Sequence, residues 1–207
     1  GASFASEPPT SDFLVFKNRP VANDLRMITA DNRILNLSDF KGNVILLNFW
    51  RKDCQFCEFE KYHLKSMVQT LGSDKVKVIC VNFWDQPSWV RQYGKQNGGS
   101  LIFAARPEGS KSVVENVIRG RLMGYYILNE ANEAVYEIRG FPSTYVIDQD
   151  GRIIAAHLGL AHWNSRPIRN WIAEMADSAK KTATASSSDD LPDWIERFLT
   201  NGFVRAR

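Results

Sequence analysis

The sequence contains few cysteines, no long apolar run and little excess charge. Its 207 residues include three cysteines, too few for a scaffold held by several disulfides. No run of about 18 or more apolar residues occurs, so we expect no membrane span in this sequence. The formal net charge is only +3 at pH 7, and acidic residues nearly balance basic ones along the chain. This balance argues against binding to nucleic acid or to a membrane surface.

Apolar residues, in contrast, are plentiful. The chain is 44% hydrophobic and 12% aromatic, enough for one domain with a full core. We expect an arm over residues 1–20, a domain over 21–177 with an insertion at about 96–123, and a linker with a short helix over 178–207. Small residues at Ser3 and Ala5 fit the tail of a removed export signal, and the alternative is an ordinary flexible terminus.

The order of apolar segments predicts an α/β fold. A hairpin over residues 25–37 precedes an almost unbroken apolar run, Val44–Trp50, which suits a strand covered on both faces. An amphipathic helix follows the cysteines, and a second buried strand spans Val76–Phe83. A parallel pair of strands needs a crossover helix, so the cysteines are expected at the first junction from strand to helix.

The second half of the chain is predicted to alternate helices and strands. We expect one helix within the insertion, one helical turn, three strands, a final helix and an amphipathic stretch at the end. In chain order these are Ser112–Leu122 (helix), Tyr125–Leu128 (strand), Asn132–Tyr136 (turn), Ser143–Asp148 and Ile153–His157 (hairpin), Pro167–Met175 (helix) and Leu191–Phe203.

Cys54 and Cys57 form a C-x-x-C motif at the predicted start of a helix. Free N–H groups and the helix dipole stabilise a thiolate there, so Cys54 is predicted to be the nucleophile and Cys57 the resolving thiol. Two alternatives involve no redox chemistry. One is a static disulfide, which would close too small a loop to stabilise the fold much, and the other is a pair of reduced cysteines that only pack in the core. Zinc would need about four ligands, and only Cys80 and three scattered histidines remain. We therefore predict no metal.

Two further residues are candidates by position. Glu60 lies three residues after Cys57, on the same helix face, where its carboxylate can accept the proton of Cys57 or simply be solvated. Pro142 directly precedes a predicted strand. A cis peptide there would present the Phe141 backbone to an incoming extended chain, whereas a trans proline at a loop end would have no such role.

Several of these segments together resemble the TlpA/ResA-like thioredoxins of the AhpC/TSA and redoxin superfamily. They are Leu37–Gly42, Val44–Trp50, the C-x-x-C-x-x-E motif, and the run from Gly140 to Ile153. The resemblance implies a thioredoxin fold, a central mixed β-sheet flanked by helices, with an N-terminal β-hairpin. The insertion before the cis-proline region and the C-terminal extension lie outside the shared pattern. The resemblance also implies attack by Cys54, resolution by Cys57, proton transfer by Glu60 and a cis Pro142.

The same resemblance implies a partner, a location and a substrate surface. Family members exchange a dithiol for a disulfide in partner proteins such as apocytochrome c, draw electrons from an upstream donor and use no organic cofactor. They are typically periplasmic or otherwise extracytoplasmic and often membrane-anchored, so we expect contact with a membrane only through a removed N-terminal anchor or signal. We expect Trp50, Phe56, Phe141 and Pro142 to contact the substrate.

Two departures from the family leave the redox potential, and so the direction of electron flow, open. Asp53 stands where the family has tryptophan, and Gln55–Phe56 separates the cysteines. A reductase is the favoured function. Alternatives are a peroxidase of the peroxiredoxin kind, for which threonine and proline would be needed near residues 51 and 47–48, and a copper- or haem-delivery module using Cys54, Cys57 and His162. A degenerate scaffold without redox activity is a third.

Overall fold

The computed structural model describes residues 7–178, and this part of the chain forms strands, helices and one short 3-10 turn at Leu37–Phe40. The strands are β1 (Phe13–Val15), β2 (Met27–Thr29), β3 (Ile34–Leu35), β4 (Val44–Phe49), β5 (Val76–Asn82), β6 (Ile102–Ala105), β7 (Val113–Ile118), β8 (Arg121–Leu128), β9 (Ala134–Ile138), β10 (Ser143–Ile147) and β11 (Ile153–Leu158). The helices are α1 (Gln55–Leu71), α2 (Pro87–Asn97) and α3 (Arg166–Ser178).

Eight strands form one mixed sheet in the order β1-β11-β10-β4-β5-β6-β2-β3. The pairs β4–β5 and β5–β6 are parallel, and the other neighbours are antiparallel. The helix α1 connects the parallel strands β4 and β5, as the order of apolar segments predicted. The N-terminal hairpin is also confirmed, as β2 and β3. This mixed sheet flanked by helices confirms the predicted thioredoxin fold.

Side chains of the central strand β4 alternate between two separate cores. Val44 and Leu46 pack with residues of all three helices, whereas Ile45, Leu47 and Phe49 pack on the opposite face of the sheet. Successive strand residues point to opposite faces, so a strand buried on both sides reads as an unbroken apolar run. The helices thus occupy one face, and a different element must cover the other.

That other face is covered by a second sheet, β7-β8-β9. The helix predicted over Ser112–Leu122 and the helical turn over Asn132–Tyr136 are therefore wrong, because these residues lie in β7, β8 and β9. β-branched residues in β7 favour a strand, and Arg119 and Gly120 both have positive φ (50° and 75°), which suits a two-residue hairpin turn. Arginine is unusual at the first position of such a turn, so the sequence alone did not indicate a hairpin here.

Three boundaries also differ from expectation. The predicted insertion from residue 96 begins too early, because β6 belongs to the main sheet. The helix α3 runs from Arg166 to Ser178, beyond both ends of the predicted Pro167–Met175. The predicted amphipathic stretch Leu191–Phe203 lies outside the described residues. Over residues 7–178, no helix is both long and apolar enough to cross a membrane.

Candidate active site

The cysteine pair lies where β4 gives way to α1. Cys54 is the N-cap of α1, its Sγ accepts a hydrogen bond from the backbone N–H of Cys57 at 3.2 Å, and the two residues form a disulfide. Cys57 is 1% exposed, whereas Cys54 is only partly buried. An incoming sulfur therefore reaches Cys54 first. The unpaired N–H groups of the first helical turn stabilise negative charge at this position.

The loop that leads to Cys54 carries three exposed charges in a row, Arg51, Lys52 and Asp53. Asp53 has a positive φ of 58°, a conformation that aspartate tolerates better than bulky residues. The backbone N–H of Lys52 donates to Asp85 Oδ2 at 2.7 Å, which ties the loop to the segment after β5. The negative charge of Asp53 is thus accompanied by two adjacent cations, which oppose its effect on a Cys54 thiolate.

Glu60 is fully buried on the helix-covered face. Its Oε1 accepts hydrogen bonds from the backbone N–H of Ala161 (3.2 Å) and from Trp163 Nε1 (2.7 Å). Its Oε2 accepts from Asn48 Nδ2 (2.7 Å) and Thr144 Oγ1 (3.4 Å). Burial raises the pKa of Glu60 to about 7, although these four neutral donors oppose the rise. The solvated-glutamate alternative is wrong, and the carboxyl group can exchange a proton near neutral pH.

Strand register brings the donors to Glu60. Asn48 of β4 lies opposite Thr144 of β10, and both side chains point to the helix-covered face by alternation along their strands. Trp163 lies in the segment between β11 and α3 and is fully buried. Three separate segments of the chain therefore supply donors to one carboxyl group, which the spacing of the C-x-x-C-x-x-E motif alone did not reveal.

The Phe141–Pro142 peptide bond is cis, and Pro142 is buried directly before β10. The partly buried ring of Phe141 packs against Trp84 (4.6 Å between centroids) and Tyr125 (5.9 Å), and the Arg51 guanidinium lies 5.7 Å from it. Trp84 and Tyr125 were not predicted to be near the site, because they come from distant parts of the chain. In the sequence, only the aromatic character of these two residues could have suggested a position near the site.

The two aromatic residues near the cysteines differ in exposure. Phe56 is 61% exposed in the first turn of α1 and is available to a partner. Trp50 is fully buried, with its ring 4.8 Å from Tyr93 and 5.7 Å from Phe103. The prediction that Trp50 contacts substrate is therefore wrong. It follows Phe49 on β4, and alternation turns it into the core between the sheet and α2.

Lys61 was missed, although the helix pattern could have identified it. The buried face of α1 includes Cys57, Glu60, Lys61, Leu64 and Met67, so a lysine stands at an apolar position. Burial lowers the pKa of Lys61, and its contact with Glu58 opposes that shift.

The remaining metal candidates lie apart. The ring of His162 contacts that of His63 at 5.0 Å, and Cys80 is a free, fully buried thiol whose pKa is raised to about 12 by burial. Within residues 7–178, no group of three or more His, Cys, Asp or Glu side chains converges.

The geometry has counterparts in known proteins. Thiol-disulfide oxidoreductase ResA of Bacillus subtilis is 21% identical over 63% of this chain and 61% of its own length. Thiol:disulfide interchange protein DsbE of Vibrio cholerae is 27% identical over 86% of this chain and 81% of its own length. The chain thus spans less than two thirds of the ResA sequence and most of DsbE.

Solved structures share the fold at low identity. A thiol:disulfide interchange protein DsbE from Chlorobium tepidum superposes with a TM-score of 0.57 at 18% identity, covering 76% of this chain and 96% of that one. A secreted thiol-disulfide isomerase from Corynebacterium glutamicum gives 0.55 at 17% identity, covering 87% and 100%.

A thioredoxin fold with a Cys54–Cys57 disulfide at a helix N-terminus, and relatives that act on thiols, define a thiol-disulfide oxidoreductase of the thioredoxin class. The sequence matches the AhpC/TSA family over residues 20–156, and the chain belongs to that family.

Proposed function

We propose that this protein reduces disulfides in partner proteins outside the cytoplasm, with Cys54 as nucleophile, Cys57 as resolving thiol and Glu60 as proton acceptor. The observation that carries the proposal is a fully buried carboxyl group, titrating near neutrality, three residues after a buried cysteine whose disulfide partner is accessible. Neither a structural disulfide nor a packing cysteine requires such a carboxyl group.

The cycle starts from the reduced pair. The Cys54 thiolate attacks a partner disulfide, one partner sulfur leaves with the electron pair of the broken bond, and a mixed disulfide forms. Glu60 takes the proton of Cys57, directly or through water, and the Cys57 thiolate then attacks Cys54 Sγ. The second partner sulfur leaves, so two electrons have passed to the partner and the Cys54–Cys57 disulfide seen here has formed. An upstream dithiol donor must reduce it again.

The exposed surface around Cys54 supports docking of an extended protein segment. Phe56 and the Phe141–Pro142 turn are proposed to contact that segment, beside the exposed cations Arg51 and Lys52. Resemblance to the TlpA/ResA-like proteins supports the reducing direction, an apocytochrome c as one candidate partner and a periplasmic location. The secreted fold relative supports a place outside the cytoplasm.

Trapping of the mixed disulfide tests the proposal. The protein is incubated with insulin, as a protein disulfide, with dithiothreitol as electron donor, and reduction is followed by precipitation of the insulin B chain. We expect turnover by the wild type and none above the dithiothreitol background by Cys54→Ser. When Cys57→Ser is first reduced and then incubated with insulin without dithiothreitol, it should accumulate a covalent adduct on non-reducing gels, and added dithiothreitol should release it.

Cys80→Ser is the matched control, because this thiol is buried and unpaired, and it should retain turnover. An active Cys54→Ser variant, or a Cys57→Ser variant that traps nothing, would contradict the roles assigned to the two cysteines. For location, a membrane-impermeant maleimide should label reduced Cys54 on intact cells that express the full-length protein.

A further inference from the structure

A buried lysine lies directly beside the active-site carboxyl group. Lys61 follows Glu60 and stands one helical turn after Cys57, and its side chain is only 6% exposed. Its Nζ lies 3.8 Å from the ring centroid of Trp50, 4.3 Å from that of Tyr93 and 5.7 Å from that of Phe103. Aromatic faces attract a cation, so the three rings form a cage that favours the charged form.

The polar contacts of Lys61 connect this cage to the surface at Cys54. Its Nζ donates to Glu58 Oε1 at 2.7 Å and to Tyr93 Oη at 2.6 Å, and Tyr93 Oη donates to Glu58 Oε2 at 2.8 Å. Glu58 and Tyr93 also line an open cleft of about 390 Å³ beside Cys54. Its other lining residues are Lys52, Asp53, Gln55 and Trp89. The ammonium group therefore contacts two residues, Glu58 and Tyr93, that line the same cleft as the attacking Cys54.

The helix directs this charge toward the cysteines. Side chains on a helix lean toward its N-terminus, and the contact between Lys61 and Glu58, three residues earlier, follows that direction. The ammonium group is thereby carried to the first turn of α1, where Cys54 is the N-cap. Its charge adds to the positive end of the helix dipole at this sulfur.

Fold stability alone gives little reason for the lysine. Buried ion pairs often contribute no more than well-packed apolar side chains, and Glu58 is 55% exposed, so its attraction is screened by solvent. Leucine or methionine would suit this apolar position of α1. A charge kept in contact with the lining of a reactive site therefore points to a role in the chemistry of that site.

We propose that Lys61 is a positioning residue whose caged charge stabilises the thiolate of Cys54, favours the reduced pair and so raises its reduction potential, with Glu58 offsetting part of that charge. The inference rests on the proposed function and names what tunes its redox balance. Besides Glu58, the titratable groups that interact with the cage are Tyr93 of α2 and Cys80 of β5, and Glu60 is the adjacent residue. Both thiol and phenol stay neutral near pH 7, because burial raises the pKa of each well above its usual value.

Equilibration with glutathione tests the inference. Two glutathione molecules supply two electrons and become glutathione disulfide, while the Cys54–Cys57 bond breaks into a Cys57 thiol and a Cys54 thiolate. In Lys61→Met we expect an equilibrium shifted about tenfold toward the protein disulfide, equivalent to about 30 mV of lower potential. The pH midpoint for alkylation of Cys54 by iodoacetamide should rise. Lys65→Met, the same change on the exposed side of α1, should leave both quantities at wild-type values.

Glu58→Gln separates charge from packing, because it removes the offsetting carboxylate and leaves the lysine. We expect shifts opposite in sign to those of Lys61→Met. Equal values for Lys61→Met and Lys65→Met, or shifts of the same sign in Lys61→Met and Glu58→Gln, would overturn the inference. If Lys61→Met does not fold, Lys61→Gln is measured in its place. A wild type with no reversible transition would overturn the proposed function itself, which is a distinct result.

Discussion

Two buried ionisable side chains, adjacent in sequence, occupy contrasting environments on α1. Glu60 lies between α1 and the strands β4 and β10, where four neutral donors from strands and loops bind its carboxyl group. The side chain of Lys61 lies against the ring faces of Trp50, Tyr93 and Phe103, and a single, half-exposed carboxylate pairs with it. The first environment is closed, and the second adjoins the cleft at Cys54.

The contrast shows how one helix can supply two electrostatic effects to one disulfide. Neighbouring residues on a helix point about 100° apart, so positions 60 and 61 bury on opposite sides of the face that carries Cys57. Neutral donors do not cancel the cost of burying a carboxylate, which leaves Glu60 able to exchange protons near pH 7. Ring faces and one carboxylate instead keep a positive charge close to the attacking sulfur.

The largest effect is expected when the buried acid Glu60 is removed. In Glu60→Gln the side chain keeps its size and cannot accept the proton of Cys57, so we expect release of the mixed disulfide to slow roughly 10²- to 10⁴-fold. The dependence of this step on a group titrating near pH 7 should disappear. Single-turnover kinetics across pH measure both effects. Glu115→Gln, an exposed change on β7, should behave as wild type, and an unaltered pH profile in Glu60→Gln would count against proton transfer by this residue.

The pH dependence of the free energy of unfolding should show the cost of burying the ionised carboxylate of Glu60. The folded pKa of Glu60, about 7, exceeds its unfolded value of 4.5, so the folded state holds this proton more tightly. Relative to Glu60→Gln, the wild type should lose stability as pH rises from about 4.5 through 7, by on the order of 3 kcal/mol in all. Urea unfolding of both proteins at a series of pH values measures this difference. A difference that stays constant with pH would contradict a buried, titrating Glu60.

A smaller effect is expected when one donor to Glu60 is removed. Trp163→Phe keeps an aromatic ring in the core but deletes the 2.7 Å hydrogen bond to Glu60 Oε1. Hydrogen bonds to charged groups contribute about 1.5–3 kcal/mol, so we expect a loss of about 2 kcal/mol in the free energy of unfolding at pH 8. The loss should shrink at pH 5, where Glu60 is protonated. Trp84→Phe provides the packing control, because the indole N–H of Trp84 has no hydrogen-bond partner within residues 7–178, and it should show no such dependence on pH.

The smallest effect is expected at the aromatic cage around Lys61. Tyr93→Phe removes the hydroxyl that links Lys61 to Glu58 but leaves the ring of the cage in place. We expect about 1 kcal/mol of destabilisation, since the direct ion pair between Lys61 and Glu58 remains. Thermal or urea unfolding measures it. A loss as large as that in Trp163→Phe would show that the two environments do not differ in the way described.

Local patterns predicted the parts of the molecule that depend on neighbouring residues. The unbroken apolar run of β4, the cysteine spacing and the start of α1 were all readable, because each follows from periodicity or helix capping. The position of Glu60 on the cysteine face also followed from helix geometry. Its burial did not, since that depends on Asn48, Thr144 and Trp163 brought together by strand register and a distant loop.

Long-range packing explains the failures. Trp50 was expected to contact substrate because it stands near the cysteines, but α2 covers it. Lys61 was missed, because the rings of Trp50, Tyr93 and Phe103 that surround it come from separate parts of the chain. The hairpin of β7 and β8 was mistaken for a helix, because Arg119 rather than the usual asparagine or glycine begins its turn.

The proposed function requires the Cys54–Cys57 disulfide to open and close reversibly in the folded protein. A glutathione and dithiothreitol titration of the wild type, read by thiol labelling and mass spectrometry with Cys54→Ser as control, tests it most directly. We expect one reversible two-electron transition, with a midpoint closer to the reducing value of about −270 mV than to the oxidising value of about −120 mV. A bridge that never opens, or two thiols that never pair, would contradict it.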